Sequence, residues 1–180
     1  MTDFTEVPLL IAFTSFNRFT AQVDGLDDLE MARVMADYYT LASATITAAG
    51  GRVVKFIGDA TLAVFPSEDV DRGVLGLLEL KSVADRFMAD RGWDCHLVVK
   101  IHHGTVAQGQ FGSGANQRYD VLGKAVNIAA RLDTTGGVTL SVEAFRQLGP
   151  DARRRFKKHT PSITYIRQED AHRPRWAKRA

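Results

Sequence analysis

The chain has 180 residues and a formal net charge of +2, with 45% hydrophobic and 24% charged residues. This composition is typical of a globular protein with a sizeable core and excludes fibrous and low-complexity classes. The single cysteine, Cys95, excludes an internal disulfide and a multi-cysteine metal site, and we expect a buried thiol. No membrane-length apolar run and no signal-like start occur, so we expect a cytoplasmic chain or a cytoplasmic domain of a longer protein.

The charge is unevenly distributed, because the ten lysines and arginines from Asp151 onward face only three acidic residues. Such a basic end can contact nucleic acid, a membrane or a triphosphate, although its last ten residues are typical of a solvated tail. Nucleic-acid binding is the weakest of these interpretations, because Trp176 alone interleaves an aromatic ring with the cations. We therefore expect neither nucleic acid nor membrane as a partner.

In the first half of the chain, apolar periodicity and capping residues predict a strand, a long helix, a hairpin and a second helix. The predicted elements are a strand over Val7–Phe13, a loop over Thr14–Thr20, a helix from Asp27 to Gly50, a hairpin over Arg52–Pro66 and a helix from Asp69 or Asp71 to about Ala89. The residues expected on the buried stripe of the first helix are Met31, Met35, Tyr38, Ala42 and Ile46.

The hairpin turns at Gly58 and Asp59, where glycine accepts the positive φ of a tight turn and aspartate tolerates it. Its tip therefore carries a carboxylate. Strict alternation would place Val53, Lys55 and Ile57 on one face, and Val54 and Phe56 on the other. Lys55 is then either an edge charge that prevents aggregation or a group that reads a ligand.

The second half combines short strands and helices with a glycine-rich segment. The predicted elements are a strand over Asp94–His103, a mobile hairpin arm over Gly104–Gln117, an extended piece over Tyr119–Gly123, a helix over Lys124–Leu132, a strand over Val138–Ser141, a helix over Val142–Leu148 and a last strand or hairpin over Phe156–Ile166. The arm lacks the Gly-Lys-Ser/Thr of a phosphate loop. His102 and His103 would face opposite ways and form no metal pair. Mixed hairpin and crossover links favour an α+β fold with a mixed sheet.

Three segments, Ile11–Thr20, Val53–Asp59 and Tyr119–Asp133, together resemble the class III nucleotidyl cyclase catalytic domain. The third segment is the most specific, because Asn-x-x-x-Arg follows Asp-x-x-Gly behind the Gly-Asp hairpin. The resemblance implies one cyclase homology domain over residues 1–180, with a core of about 9–166 and a basic tail over 167–180. It also implies a ferredoxin-like mixed sheet flanked by helices, in the α+β class.

The reaction implied by the resemblance is attack of a ribose 3′-hydroxyl on the α-phosphate of the same nucleotide, with release of pyrophosphate. In this family two aspartates hold two divalent cations, Mg²⁺ or Mn²⁺. Asp59 matches the second aspartate, but Ser15 stands where the family usually has the first. A neutral hydroxyl is a poor replacement for a bridging carboxylate. Arg18 stands where the family usually has Gly, and its charge would either replace or block a cation.

The identity of the nucleotide base can be inferred by matching its hydrogen-bond donors and acceptors to those of Lys55 and Asp120. Adenine offers an acceptor at N1 and donors at its amino group, which match a Lys55 donor and an Asp120 acceptor. The resemblance agrees, because adenine-selective family members carry Lys and Asp at these two positions. ATP is therefore the expected substrate. The alternative for Asp120 is a turn residue that caps the following helix.

The remaining site residues come from the resemblance and lie between two subunits packed head to tail. Asn127, which orients the ribose, and Arg131, which stabilises charge on the phosphate, share one helix face. The other candidate substrate contacts are Phe19, Thr20 and either Lys157 or Lys158. One subunit gives the aspartates, and the other gives the base-reading and Asn/Arg pairs. The expected function is an adenylate cyclase acting as a homodimer or heterodimer; the alternative is an inactive nucleotide-binding homologue or one half of a heterodimer.

Overall fold

The computed structural model of the chain describes residues 4–134, 136–160 and 163–169. Its strands are β1 (Thr5–Phe16), β2 (Arg52–Ile57), β3 (Ala60–Pro66), β4 (Leu97–Phe111), β5 (Arg118–Leu122), β6 (Val138–Leu140), β7 (Phe156–His159) and β8 (Thr164–Arg167). Its α-helices are α1 (Phe19–Val23), α2 (Asp28–Ala48), α3 (Val70–Ala89), α4 (Lys124–Arg131), α5 (Val142–Gln147) and α6 (Pro150–Arg153). The basic tail expected from residue 167 lies outside the described residues beyond residue 169.

The strands described above join one mixed sheet in the order β2-β3-β1-β4-β6-β8-β7, and β5 pairs with the far half of β4. β1 lies between β3 and β4 and runs antiparallel to both, as expected for a strand that is apolar on both faces. β4 and β6 run parallel. This arrangement confirms the predicted α+β class with a mixed sheet flanked by helices.

Helices α2 and α3 cover one face of the sheet. α2 begins as predicted after Asp27, whose carboxylate accepts a hydrogen bond from the Glu30 amide at 2.8 Å in a capping box. Met31 is only half-buried, whereas the rest of the predicted stripe is buried: Met35, Tyr38, Ala42 and Ile46. Gly76 of α3 permits close approach, because a Cβ there would lie 2.2 Å from the Ala49 Cβ. The two helices therefore pack as one layer.

Helix α4 covers the opposite face of the sheet. Its Ala125 and Ala129 pack against Ile11 of β1 and Val106 of β4 in a second, smaller core cluster. We call this side of the sheet the α4 face. It is the side on which the candidate site residues of β2 and β5 meet.

The hairpin predicted at Gly58 is present, but the alternation predicted along β2 is wrong. The pairing register of β2 against β3 shifts between Val53 and Lys55. Because this bulge inserts an extra residue, Val53 and Phe56 pack on the α2/α3 side while Val54 packs on the α4 face. Lys55, opposite Leu62, therefore also lies on the α4 face.

Three boundaries differ from the predicted ones because of long-range pairing. The predicted loop over Thr14–Thr20 is strand as far as Phe16, since β4 pairs with it along its whole length. β4 starts at Leu97 and continues through most of the glycine-rich segment to Phe111, where it forms the predicted hairpin with β5. Two short helices were not predicted: α1, which begins at Phe19 inside the predicted loop, and α6, which begins at Pro150.

Other expectations concern single residues and membrane contact. Cys95 is fully buried, and burial raises the pKa of its thiol to about 11, which makes it unreactive. His102 contacts the Ser141 hydroxyl at 2.8 Å and His103 contacts the Ser67 hydroxyl at 2.6 Å, so the two rings have different neighbours. Within the described part of the chain, no helix combines the length and apolar character needed to cross a bilayer.

Candidate active site

The Gly58-Asp59 turn is held against the end of β1. Gly58 has a φ of 58°, the left-handed conformation that the tight turn requires. Asp59 Oδ2 accepts a hydrogen bond from the Phe16 amide at 2.9 Å. The carboxylate therefore lies next to the end of β1 that carries Ser15. Ser15 and Asp59 are the two positions that the sequence analysis assigned to metal binding.

Tyr39 of α2 holds this turn in place and was not found by sequence reasoning. Its hydroxyl donates to the Gly58 carbonyl at 2.6 Å, and its ring stacks on Phe56 at 4.0 Å between centroids. Its neighbour Tyr38 is buried behind the turn, and burial raises the pKa of Tyr38 to about 12. The only sequence signal for Tyr39 was its place beside a core tyrosine, which does not indicate a contact 19 residues away.

We expect Tyr39→Phe to lower the free energy of unfolding by about 1 kcal/mol, the typical net value of one hydrogen bond. The ring stack on Phe56 would remain, while the turn that presents Asp59 would loosen. Urea unfolding measures the stability. Tyr39→Leu also loses the ring stack and should lower the free energy of unfolding further. Equal stability of the wild-type protein and the two variants would contradict the role of Tyr39 in holding the turn.

Lys55 and Asp120 form an ion pair across β2 and β5, with 2.5 Å between Nζ and Oδ2. The other Asp120 oxygen accepts from the Val121 amide at 2.8 Å. The helix-capping alternative for Asp120 is wrong, because Gly123 is the N-cap of α4 and no side chain caps that end. Lys55 does lie on an edge strand, but its ammonium contacts the carboxylate instead of standing free in solvent. A donor and an acceptor thus stand side by side on the α4 face.

Asn127 and Arg131 line one open groove of about 400 Å³ together with residues from α4, the segment after it and the start of β8. Both side chains are exposed, and Ile128 between them is 46% exposed, so that Ala125 and Ala129 are the buried residues of the helix. The spacing of four therefore gives the shared face that was predicted. In the single chain, this groove is open on the outer side of α4.

Arg18 and Phe19 both contact other residues of the chain. Arg18 has a φ of 56°, a left-handed conformation that favours glycine, and its guanidinium forms an ion pair with Asp94. The Phe19 ring packs near Trp93 at 6.2 Å between centroids, so it belongs to the α2/α3 side of the core. Thr20 is exposed at the first turn of α1.

The sheet register separates Lys157 from Lys158, which the sequence could not distinguish. Lys157 of β7 is paired with Ile166 of β8. Ile166 is paired with Thr139 of β6, and Thr139 is paired with Lys100 of β4. These positions share one face of the sheet, and Lys100 contacts α4. Lys158 is opposite Tyr165, whose ring stacks on Phe145 on the α2/α3 side. Only Lys157 therefore lies on the α4 face.

The donor set suits one hard cation better than two. Among the described residues the second Asp59 oxygen, Oδ1, has no hydrogen-bond partner and is available to a cation. The nearby Ser15 offers only a neutral hydroxyl. No group of three His, Cys, Asp or Glu in the described ranges is arranged to hold a metal. Mg²⁺ sites with one or two carboxylates, completed by substrate phosphates and water, are common, so Asp59 fits that role.

Comparisons with known proteins bear on the fold and on the family. Among solved structures, a bacterial light-regulated adenylyl cyclase superposes with a TM-score of 0.79 at 23% identity, over 93% of this chain and 54% of that one. The guanylyl cyclase Cya2 gives a TM-score of 0.75 at 23% identity, over 89% of this chain and 91% of that one. At these identities the likeness concerns the fold.

The family follows from sequence similarity. A model of the adenylate and guanylate cyclase catalytic domain matches residues 3–166, and the chain belongs to this family. It is similar to an adenylate cyclase of Anabaena cylindrica, with 27% identity over 133 residues that cover 69% of this chain and 26% of that protein. The matching region thus spans about a quarter of that relative's length.

Proposed function

We propose that this chain is an adenylate cyclase domain that converts ATP to cyclic AMP and pyrophosphate at the interface of a dimer. The observation that carries the choice of ATP is the contact between Lys55 and Asp120 on the α4 face. Side by side, the two groups offer a donor to adenine N1 and an acceptor to its amino group. Guanine presents the opposite pattern, so the same pair would place Asp120 against a lone pair of the guanine oxygen.

In the proposed reaction, the ribose 3′-oxygen bonds to the α-phosphorus as the bond to the pyrophosphate oxygen breaks. Asn127 holds the ribose, Arg131 offsets the charge that develops on the α-phosphate, and Lys157 binds the part of the triphosphate that leaves as pyrophosphate. When bound at Asp59, a divalent cation supplies Lewis-acid polarisation of the reacting oxygens. The 3′-hydroxyl loses its proton to water as it attacks.

The assignment to two subunits is supported by where the side chains of the β2–β3 hairpin point. Lys55 reaches Asp120 on the α4 face, whereas Asp59, four residues later, folds back on the Phe16 amide at the end of β1. One copy would therefore contribute Asp59 to a site whose base-reading pair and α4 belong to the other copy. Either a second copy of this chain or another cyclase-type chain can fill that role.

The test is product formation by the purified chain with ATP or GTP, in Mn²⁺ and in Mg²⁺. We expect cyclic AMP from ATP, faster with Mn²⁺, and a slower reaction with GTP. Titration calorimetry with a non-hydrolysable ATP analogue accompanies the assay. A chain that neither forms a cyclic nucleotide nor binds the analogue would overturn the proposal.

Ser15 favours a second candidate function, a member of the family that binds nucleotide but lacks turnover alone. With one carboxylate beside the β1 end, the chain provides half of the usual cation-holding groups. Analogue binding without turnover would support a sensor. Activity that appears only after mixing with a second cyclase-type chain would support the half of a heterodimer.

A further inference from the structure

Helix α4, which carries Asn127 and Arg131, is held weakly by its own packing. It has eight residues, of which only Ala125 and Ala129 are buried, and no side chain caps its N-terminus. A helix of about two turns is marginal in water, and alanines bury little apolar area. The position of this helix therefore depends on its contacts with the sheet, of which those with β4 are the most numerous.

One contact is a close approach at the start of the helix. A Cβ on Gly104 would lie 2.8 Å from the Ala125 Cβ, closer than carbon atoms normally approach. The absence of a side chain at this position brings β4 and the first turn of α4 together. This contact limits how far the helix stands from the sheet, but it does not fix the other end.

The second contact holds the other end of α4. Lys100 lies on the same face of β4 as Gly104, four residues earlier, and its ammonium donates a hydrogen bond to the Ala130 carbonyl at 3.0 Å. The last four carbonyls of an α-helix have no partners within the helix and carry partial negative charge. A partly buried ammonium at this point both satisfies one of these carbonyls and interacts favourably with the helix dipole.

We infer that Lys100 is a positioning residue that fixes the last turn of α4 and thereby orients the side chain of Arg131. The bonded carbonyl belongs to Ala130, the residue directly before Arg131. Lys100 acts through the backbone of α4 and has no contact with the nucleotide. The consequence for catalysis rests on the function proposed above, whereas the anchoring of the helix does not.

The experiment compares Lys100→Met, which keeps the aliphatic stem, with Lys100→Arg, which keeps charge and donors. The matched control is Arg72→Met, because Arg72 makes the same kind of contact, donating to the Ala48 carbonyl at the end of α2 at 2.8 Å. Amide hydrogen exchange over residues 124–132 reports the anchoring, and steady-state kinetics with ATP and Mn²⁺ report the orientation.

In Lys100→Met, exchange over α4 should become about tenfold faster, the factor expected for one lost charge-assisted hydrogen bond. A misplacement of a catalytic group by about 1 Å can cost on the order of 10²-fold, so kcat should fall by up to that factor with little change in KM. Lys100→Arg should restore part of the slow exchange over α4 and part of kcat. Arg72→Met should leave the exchange rate over α4 and kcat at the wild-type values.

The outcomes separate the two proposals. Unchanged exchange over α4 in Lys100→Met overturns the anchoring, and unchanged kcat in an active enzyme overturns the positioning role. A higher KM with unchanged kcat would show that Lys100 binds the nucleotide directly, which also overturns it. If the wild-type chain makes no cyclic nucleotide while Lys100→Met loosens α4, the anchoring stands and the proposed function fails.

Discussion

Arg131→Met should lower the rate of cyclic AMP formation by about 10²–10³-fold, the usual loss when one positioned donor is removed from a developing charge. Arg131 is exposed at the end of α4 and lines the open groove, so the substitution should leave the fold unchanged. Initial rates with Mn²⁺-ATP measure the effect. Binding of an ATP analogue should change far less than kcat, because the lost interaction belongs to the transition state.

A matched control for this variant is Arg146→Met. Arg146 is likewise exposed in the last turn of a short helix, α5, but it lies outside the groove. Equal rates for the two variants would show that Arg131 has no special role. The proposed mechanism would then lose its charge-stabilising group.

Mixing two inactive variants tests whether the site is shared between copies. Arg131→Met and Asp59→Asn damage different halves, so a mixed dimer would contain one intact site and one doubly damaged site. Equal mixing of exchanging symmetric dimers should restore about a quarter of wild-type activity, since half of the dimers are mixed and each has one of two sites intact. No recovery after confirmed subunit exchange would contradict a site built by two copies.

Ser15→Asp should raise the rate by about 10²-fold or more, because a second carboxylate beside Asp59 would complete the cation-holding pair. The structural basis is the 2.9 Å hydrogen bond from the Phe16 amide to Asp59, which brings the end of β1 to the hairpin turn. The same assay with Mn²⁺ and Mg²⁺ measures the gain, and we expect a larger gain with Mg²⁺. Ser15→Asn, which adds bulk without charge, should show no gain.

A stability measurement makes this prediction independent of turnover. Without a cation, two neighbouring carboxylates repel each other, so Ser15→Asp should lower the melting temperature. Mn²⁺ binds the folded state and should therefore raise the melting temperature of Ser15→Asp more than that of the wild-type chain. If neither activity nor Mn²⁺-dependent stability increases, the explanation that Ser15 impairs metal binding is wrong. If the wild-type chain is also inactive, the homodimer is not the catalyst proposed.

The parts of the fold that were predictable are those set by neighbours in the chain. The capping box at Asp27 and the tight turn at Gly58 follow from local hydrogen bonds and from the backbone freedom of glycine. The common face of Asn127 and Arg131 follows from helical periodicity alone. The bounds of β1, by contrast, depend on a distant strand, because β1 extends to Phe16 along β4.

By itself, the sequence determined the family motifs, the order of helices and strands, and the absence of a carboxylate at Ser15. Only the tertiary structure decided which side chains meet: Lys55 with Asp120, 65 residues later, Tyr39 with Gly58, and Lys100 with the end of α4. It also placed Lys157, and not Lys158, on the α4 face. The physical reason is that strand register and a single bulge set the direction of every side chain on a strand, and both depend on how one strand pairs with another, which the apolar alternation of a single segment does not specify.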